Sequence, residues 1–368
     1  MKSNFDFLNR YWPALAQIGA TAETYVYSDP NACIYKLGMF AERLVQEILV
    51  FEHIAEPAVD NTHANRIRIL KRAGLLPHEI DNTLYVLRKT RNSAVHIGTD
   101  SVDEAKTLLS LTYNLAVWFM ETYGDWGYIA PEFVMPSETT HEDLESVIAE
   151  QERKIEELTK QLAVVKTAAS GKTQKERARR SESVSAMMNW NEAQTRCLID
   201  EQLRLSGWEA DTQNLRYSKG TRPVKGRNIA ISEWPTNSAF YKNGYADYAF
   251  FVGEKLVALM DAKKMSEDVA STIDVQVKDY AAHIKPEDIP HTVGNWNGYQ
   301  VPFLFASNGR AYLEQLRTKS GIWFLDVREQ ENQPYPIRNW FSPSDLMEKL
   351  GQNTAAAIRR WLRQIIRL

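Results

Sequence analysis

The sequence is poor in cysteine and has no long apolar run. Its 368 residues include two cysteines, Cys33 and Cys197, which lie far apart and form no C-x-x-C pair. This argues against a disulfide scaffold and against a structural zinc site. No apolar run approaches the length of a membrane helix, and the first six residues lack the apolar core of a signal peptide. We therefore expect a cytoplasmic protein without a membrane partner.

The chain also lacks the overall basic charge of a general nucleic-acid binder, since its formal net charge is −3. Residues 212–230, however, contain five basic residues and no acidic one. Such a loop suits contacts with phosphate groups, which supply affinity without sequence information. A merely solvated loop has the same composition, so both interpretations stay open. The candidate nucleic-acid-binding residues are Arg216, Lys219, Arg222, Lys225 and Arg227.

Length and hydrophobic periodicity predict four segments. Apolar residues at helical spacing predict a helical bundle over residues 1–137. Residues 138–186 combine heptad-like spacing with a polar, basic stretch, which predicts a coiled-coil connector and a linker. An α/β domain is expected over residues 187–345. Residues 346–368 predict a basic amphipathic C-terminal helix, which we expect to dock on a domain outside this chain.

Two apolar runs within residues 246–264 predict a β-hairpin that carries acidic side chains. The runs are short, rich in β-branched and aromatic residues, and joined at Gly253. Asp247 lies in the first run, and the second ends in Asp261-Ala-Lys263. Because side chains alternate across a strand, Asp261 and Lys263 point to the same face. The common alternative for such a pair is a solvated ion pair at a strand rim.

These carboxylates are suited to binding a divalent cation. The apolar residues before Asp261 indicate a strand buried on both faces, and ligands of open α/β sheets bind at the carboxyl ends of strands. Mg²⁺ takes oxygen ligands and keeps several waters, so Asp247 and Asp261 together with a backbone carbonyl are sufficient protein ligands. The cation would activate water and Lys263 would stabilise the phosphate charge. Asp200 or Glu201, in the predicted helix 190–205, is a weaker third carboxylate.

A helical pattern over residues 266–283 follows the hairpin. It places Gln276 and Tyr280 one turn apart, from where both side chains can reach back to the strand end. The alternative assigns Tyr280 to the core and Gln276 to the surface. Two further buried-strand patterns follow, at residues 301–306 and 321–327. The order of helix, strands, helix and strand predicts an α/β fold, α+β overall, with a central mixed sheet.

The element order and the motif Asp247…Asp261-Ala-Lys263…Gln276-x-x-x-Tyr280 resemble the restriction-endonuclease-like PD-(D/E)xK nucleases, in the branch with an added Gln-x-x-x-Tyr element. More narrowly, several stretches are similar to the nuclease domain of type I restriction enzyme R subunits of the HsdR type. These stretches are Leu198-Ile-Asp-Glu-Gln-Leu203, Gly207-Trp-Glu-Ala-Asp211, Arg216-Tyr-Ser-Lys-Gly220, Gly226-Arg-Asn-Ile-Ala-Ile-Ser-Glu-Trp-Pro235 and Ala246-Asp-Tyr248.

The resemblance implies a Mg²⁺-dependent DNA endonuclease with the catalytic residues Asp247, Asp261, Lys263, Gln276 and Tyr280. Asp261 departs from the family, which usually has glutamate there, and the shorter side chain bears on metal preference. Double-stranded DNA is the implied substrate, and methyltransferase and specificity subunits are the implied partners. An open alternative is a non-catalytic docking module of the same complex.

ATP is expected to act only through a helicase-like motor domain outside this chain, such as the R subunits carry. The segment Ser170-Gly-Lys-Thr173 is the one phosphate-loop lookalike in the sequence. It lacks the upstream glycine of G-x-x-x-x-G-K-[ST], because residue 166 is lysine. We therefore predict no ATP site there.

The segment Arg91-Asn-Ser-Ala-Val-His96 resembles the R-N-x-x-x-H signature of HEPN domains, which include ribonucleases and inert binding modules. In a ribonuclease, His96 would act as a general acid or base and Arg91 would stabilise phosphate. The alternative is that both side chains cap or pack a helix end, where cations are favourable. An RNA-cleaving HEPN protein is therefore the second functional hypothesis.

Overall fold

A computed structural model describes the chain over residues 3–351, except residues 57–59, 98–100, 139–149, 151–152, 156, 158–166, 189, 239–243, 266, 268, 270–271, 311 and 313–316. Most of the predicted coiled coil and the predicted C-terminal helix beyond residue 351 lie outside this part. The chain divides into two compact units, Met1–Asn189 and Trp190–Leu368. Among the described residues, no helix has both the length and the apolar character needed to cross a membrane.

The first unit is helical. Side-chain oxygens of Asp29, Thr62, Ser101 and Thr173 accept backbone N–H bonds at the starts of four helices, which satisfies donors that a helix cannot pair internally. The apolar residues predicted at helical spacing, such as Leu37 to Ile48, are buried in its core. Its main helices are α1 (Pro13–Tyr25), α2 (Pro30–Phe51), α3 (His63–Arg72), α4 (His78–Ile97), α5 (Val102–Phe119) and α6 (Gln174–Met187).

The second unit is built on a seven-stranded mixed sheet with the strand order β1-β2-β3-β4-β5-β6-β7. The β1–β2 and β4–β5 pairs are parallel, and the other neighbouring pairs are antiparallel. Its strands are β1 (Glu209–Ala210), β2 (Asn228–Pro235), β3 (Tyr245–Val252), β4 (Lys255–Ala262), β5 (Phe303–Ser307), β6 (Ile322–Asp326) and β7 (Tyr335–Pro336). The predicted fold class, helices followed by an α/β domain with a mixed sheet, is confirmed.

Both faces of this sheet are covered. Helix α7 (Glu192–Leu205) begins at Asn191, whose side chain caps it, and packs Ile199 and Leu203 against one face. The other face packs against Ile273, Val277 and Tyr280. The central strands are therefore buried on both sides, which explains their nearly continuous apolar sequence.

The predicted helix over residues 266–283 is shorter in the structure. It consists of a π-helical turn, Ile273–Val277, followed by α8 (Lys278–Ala282). Glu267 and Val269 precede it in irregular backbone, and Val269 is buried in the sheet core. Burial of an apolar side chain outside a helix shows that tertiary packing can override the local helical pattern. A π-helical turn is uncommon and is often found at functional sites.

Candidate active site

The sheet itself brings the two predicted carboxylates together. In the antiparallel β3–β4 pair, Tyr248 lies opposite Met260, so the next pair outward consists of Asp247 and Asp261. Both residues are at least 95 % buried. The end of β4 is fixed on its other side, because the backbone N–H of Lys263 donates to the carbonyl of Ser307, 2.8 Å away, at the end of β5. The carboxyl ends of two parallel strands therefore meet beside this pair.

Both oxygens of Asp247 have partners. Oδ2 accepts a hydrogen bond from the backbone N–H of Ala262 at 2.6 Å, and Oδ1 forms an ion pair with the guanidinium of Arg196 from α7. Burial raises the pKa of Asp247, although Arg196 and the Ala262 N–H oppose that shift by stabilising the ionised form. A buried arginine thus stabilises the ionised form of this carboxyl.

Asp261 is held from the opposite side by two polar side chains. Its Oδ2 lies 2.6 Å from the Nζ of Lys263, and its Oδ1 accepts a hydrogen bond from the Nε2 of Gln276 at 2.9 Å. Burial, and next the Asp247 carboxylate, raise the pKa of Asp261 to about 7. This pair is not a solvated rim pair, because Asp261 is 3 % exposed. Two neighbouring carboxylates in one buried place oppose each other's ionisation.

Gln276 joins the lysine to the carboxylate. Its Oε1 accepts from Lys263 Nζ at 2.9 Å, and its Nε2 also donates to the hydroxyl of Tyr280 at 2.7 Å. Tyr280 itself is buried, with 3 % of its surface exposed. Burial alone would lower the pKa of Lys263, but Asp261 and Asp247 raise it, so the ammonium stays charged. The π-helical turn thus aims an amide at both ends of the Asp261–Lys263 pair.

The donor set fits a hard divalent cation. Asp247 and Asp261 present carboxylate oxygens in a buried place where each raises the cost of ionising the other, and a cation would relieve that cost. Magnesium sites commonly use one or two carboxylates and retain water. In the part of the chain that the structure describes, no three His, Cys, Asp or Glu side chains form a group that could hold a metal ion. The candidate site therefore rests on two carboxylates.

The weaker third carboxylate occupies a different environment. Asp200, on α7, accepts a hydrogen bond from the Thr212 backbone N–H at 2.7 Å and another from the Tyr248 hydroxyl at 2.8 Å. Burial raises its pKa to about 6. Glu201 is paired with Arg204 at 3.0 Å. The structure brings neither of them to Asp247 and Asp261.

The basic segment is only partly available for phosphate contact. Arg216 is paired with Glu233 at 3.1 Å, and Arg227 is paired with Glu209. Arg222 lies over the ring of Tyr217, 3.7 Å from its centroid. Lys219, Arg222, Lys225 and Arg227 are exposed. Binding of nucleic acid by this segment stays a prediction.

In the helical unit, Arg91 on α4 forms an ion pair with Glu42 at 2.6 Å and lies over the ring of Tyr35. The backbone of His96 belongs to the same helix, but its side chain lies outside the described part of the structure. A catalytic pair of these two residues therefore stays a hypothesis.

Three residues around Asp247 were not among the residues predicted from the sequence. Arg196 contacts not only Asp247 but also Glu192, at 2.8 Å, and Glu233, at 3.6 Å. Glu233 also has a positive φ of 54°, which is unusual for a residue with a side chain. The four-residue spacing of Glu192 and Arg196 on a predicted helix is a sequence signal for their pairing. No local sequence pattern predicts the contacts of Arg196 with Glu233 and Asp247.

The fold and the site define the class as an α/β domain with a buried carboxylate pair, in a chain that also has a helical unit, and comparisons with known proteins narrow that class. The family model described as the second domain of the type I restriction enzyme EcoKI endonuclease subunit matches residues 209–350. This range includes all five of the predicted catalytic residues. No solved structure matches the chain.

The type I restriction enzyme EcoKI endonuclease subunit of Escherichia coli strain K12 is 29 % identical over 424 residues, which cover 95 % of this chain and 36 % of that protein. The resemblance to type I restriction enzyme R subunits predicted from the sequence is confirmed. The chain is thus similar over nearly its whole length to a type I restriction endonuclease subunit, and it spans about a third of the length of that curated relative.

Proposed function

We propose that this chain is a Mg²⁺-dependent DNA endonuclease module of a type I restriction enzyme, which hydrolyses phosphodiester bonds. The observation that carries the proposal is the buried Asp247–Asp261 pair, joined through Lys263 and Gln276 to Tyr280 at one end of the sheet. The name of the relative supports the class of enzyme, and the oxygen donors support a magnesium ion.

Each side chain has a role that follows from its contacts. Asp247 and Asp261 would hold the cation, which supplies an activated water and stabilises the charge on the phosphate. Lys263, charged and a quarter exposed, would place its ammonium against the phosphate oxygens. Gln276 positions Lys263 and Asp261 relative to each other, and Tyr280 fixes the amide of Gln276.

The partners follow from the same proposal. Double-stranded DNA is the substrate, with the exposed lysines and arginines of residues 216–227 contacting its backbone. Methyltransferase and specificity subunits would complete the restriction complex, and a specificity subunit rather than this chain would select the DNA sequence. ATP would act through a helicase-like motor domain outside residues 1–368.

The test is a titration of Mg²⁺ and Mn²⁺ against cleavage of supercoiled plasmid and of RNA, with metal binding measured in parallel by calorimetry. Asp261→Asn and Lys263→Ala are expected to lower DNA cleavage by about a hundredfold or more. The matched control is Arg328→Gln, because Arg328 forms an ion pair with Asp326 at 2.7 Å, at the other end of β5.

Cleavage of plasmid by Asp261→Asn at the wild-type rate would refute the assignment, and so would failure of the wild-type chain to bind either cation. Metal-independent cleavage of RNA that disappears in His96→Ala would instead assign the activity to the helical unit. Circular dichroism of each variant separates a lost site from a lost fold.

A further inference from the structure

The buried guanidinium of Arg196 supplies positive charge next to the carboxylates of the candidate metal site. Arg196 is 9 % exposed, and its guanidinium contacts three acidic side chains, those of Asp247, Glu192 and Glu233. A buried arginine is held most firmly where its charge is balanced by carboxylates. Arg196 is the cation that the structure places in direct contact with Asp247.

This arrangement leaves no oxygen of Asp247 without a partner. Oδ2 accepts a hydrogen bond from the Ala262 N–H. This N–H lies at the end of β4 and cannot move away without disrupting the end of the strand. Oδ1 is engaged by Arg196, whose side chain is long and rotatable. Each carboxylate oxygen has two lone pairs, so a divalent cation could share Oδ1 with Arg196, but the two positive charges would then repel each other and compete for that oxygen.

Glu233 offers the guanidinium a second position. It lies on β2 where the register passes from Ser232–Tyr248 to Trp234–Ala246, so it stands beside Asp247 without forming a regular pair. Its φ of 54° is a strained conformation for glutamate, of a kind that persists only where the surroundings impose it and that clusters at functional sites. The consequence is a carboxylate that lies 3.6 Å from Arg196, is also paired with Arg216 at 3.1 Å, and is 24 % exposed.

We propose that Arg196 competes with the divalent cation for Asp247. When the cation binds, the guanidinium of Arg196 moves from Asp247 onto Glu233. The inference rests on the proposed function, because it concerns the same carboxylates. Arg196 and Glu233 are positioning residues in this scheme, since they act through Asp247. In this scheme Arg196 keeps the carboxylate pair compensated until a cation takes its place.

The test measures the dissociation constants of Mg²⁺ and Mn²⁺ by calorimetry. Arg196→Gln removes the competitor and is expected to tighten binding about tenfold, which corresponds to about 1.4 kcal/mol. Glu233→Gln removes the position that receives the guanidinium and is expected to weaken binding about fivefold. The control Arg328→Gln leaves both constants unchanged.

The double variant distinguishes competition from a general charge effect. If Arg196 and Glu233 act together, Glu233→Gln has no further effect in the Arg196→Gln background, whereas independent charge effects add. Additive changes, or unchanged affinity in both single variants, would overturn the proposal. Should Arg196→Gln fail to fold, Glu233→Gln decides alone, since Glu233 is partly exposed and its wild-type affinity would refute the idea.

The same data separate this inference from the proposed function. A wild-type chain that binds neither cation overturns both. A wild-type chain whose binding is lost in Asp247→Asn, but not altered by Arg196→Gln or Glu233→Gln, retains the metal site and loses only the competition.

Discussion

Replacing Asp261 with asparagine should stabilise the folded protein at neutral pH, because the substitution removes a charge that folding buries. Burial and the neighbouring Asp247 raise the pKa of Asp261 from 3.8 to about 7. The folded protein then holds the proton more tightly than the unfolded chain does. This contribution to stability is complete below about pH 4 and is lost as the pH rises towards 7.

The size of the effect follows from the shift. A difference of about three pKa units, at about 1.4 kcal/mol each, gives an upper limit of about 4 kcal/mol. The gain is smaller than this, since Lys263 loses the charged partner that lies 2.6 Å from its Nζ. We expect Asp261→Asn to raise the free energy of unfolding by about 1–3 kcal/mol at pH 8. Near pH 4 the difference should vanish, because asparagine is close in shape to a protonated aspartate.

Urea denaturation of wild type and variant at pH 4, 6 and 8, in the presence of EDTA, measures this difference. The control is Asp274→Asn on the neighbouring π-helical turn, where the carboxylate is 45 % exposed and paired with Lys278. It should change stability by less than about 0.5 kcal/mol at every pH. If Asp261→Asn destabilised the protein equally at pH 4 and pH 8, the assignment of a raised pKa to this carboxyl would be wrong.

Two further substitutions test the groups around the site. Gln276→Ala removes the amide that contacts Asp261, Lys263 and Tyr280. It should lower metal affinity, measured by calorimetry, or cleavage, measured by plasmid nicking, by about 10–100-fold, while the fold is retained. Tyr248→Phe removes the hydroxyl that lies between Asp200 Oδ1 and Thr212 Oγ1. It should lower the free energy of unfolding, measured by urea denaturation, by about 1–3 kcal/mol. Wild-type stability of this variant would contradict the prediction.

Local periodicity was enough to place the central groups of the site. Alternation along β4 puts Asp261 and Lys263 on one face, and the helical repeat puts Gln276 and Tyr280 one turn apart. Both relations reappear as direct contacts, at 2.6 Å and 2.7 Å. The hairpin at Gly253 pairs Val252 with Lys255, and a register shift at Phe250–Phe251 then brings Tyr248 opposite Met260, next to Asp247 and Asp261. These relations depend on short stretches of chain, which sequence patterns describe well.

The contacts of Arg196 and Asp200 depend on tertiary packing and could not be predicted in this way. Arg196 precedes Asp247 by 51 residues, and their meeting depends on how α7 lies against the sheet. Asp200 is predicted as a weaker metal ligand on the same helix, yet its oxygens are bound to Thr212 and Tyr248. The positive φ of Glu233, between the β2–β3 pairs of Ser232 and Trp234, likewise has no glycine or asparagine to signal it.

The charges around the carboxylate pair connect the proposed metal site to its proposed substrate. Asp247 and Asp261 are balanced by Arg196 and Lys263, so the four side chains carry no net formal charge. A divalent cation added to this balanced group creates an excess of positive charge in a largely buried place, where electrostatic interactions are strong. A phosphodiester group offsets part of that excess. Cation and DNA should therefore each strengthen the binding of the other, because the coupling between two ligands is reciprocal.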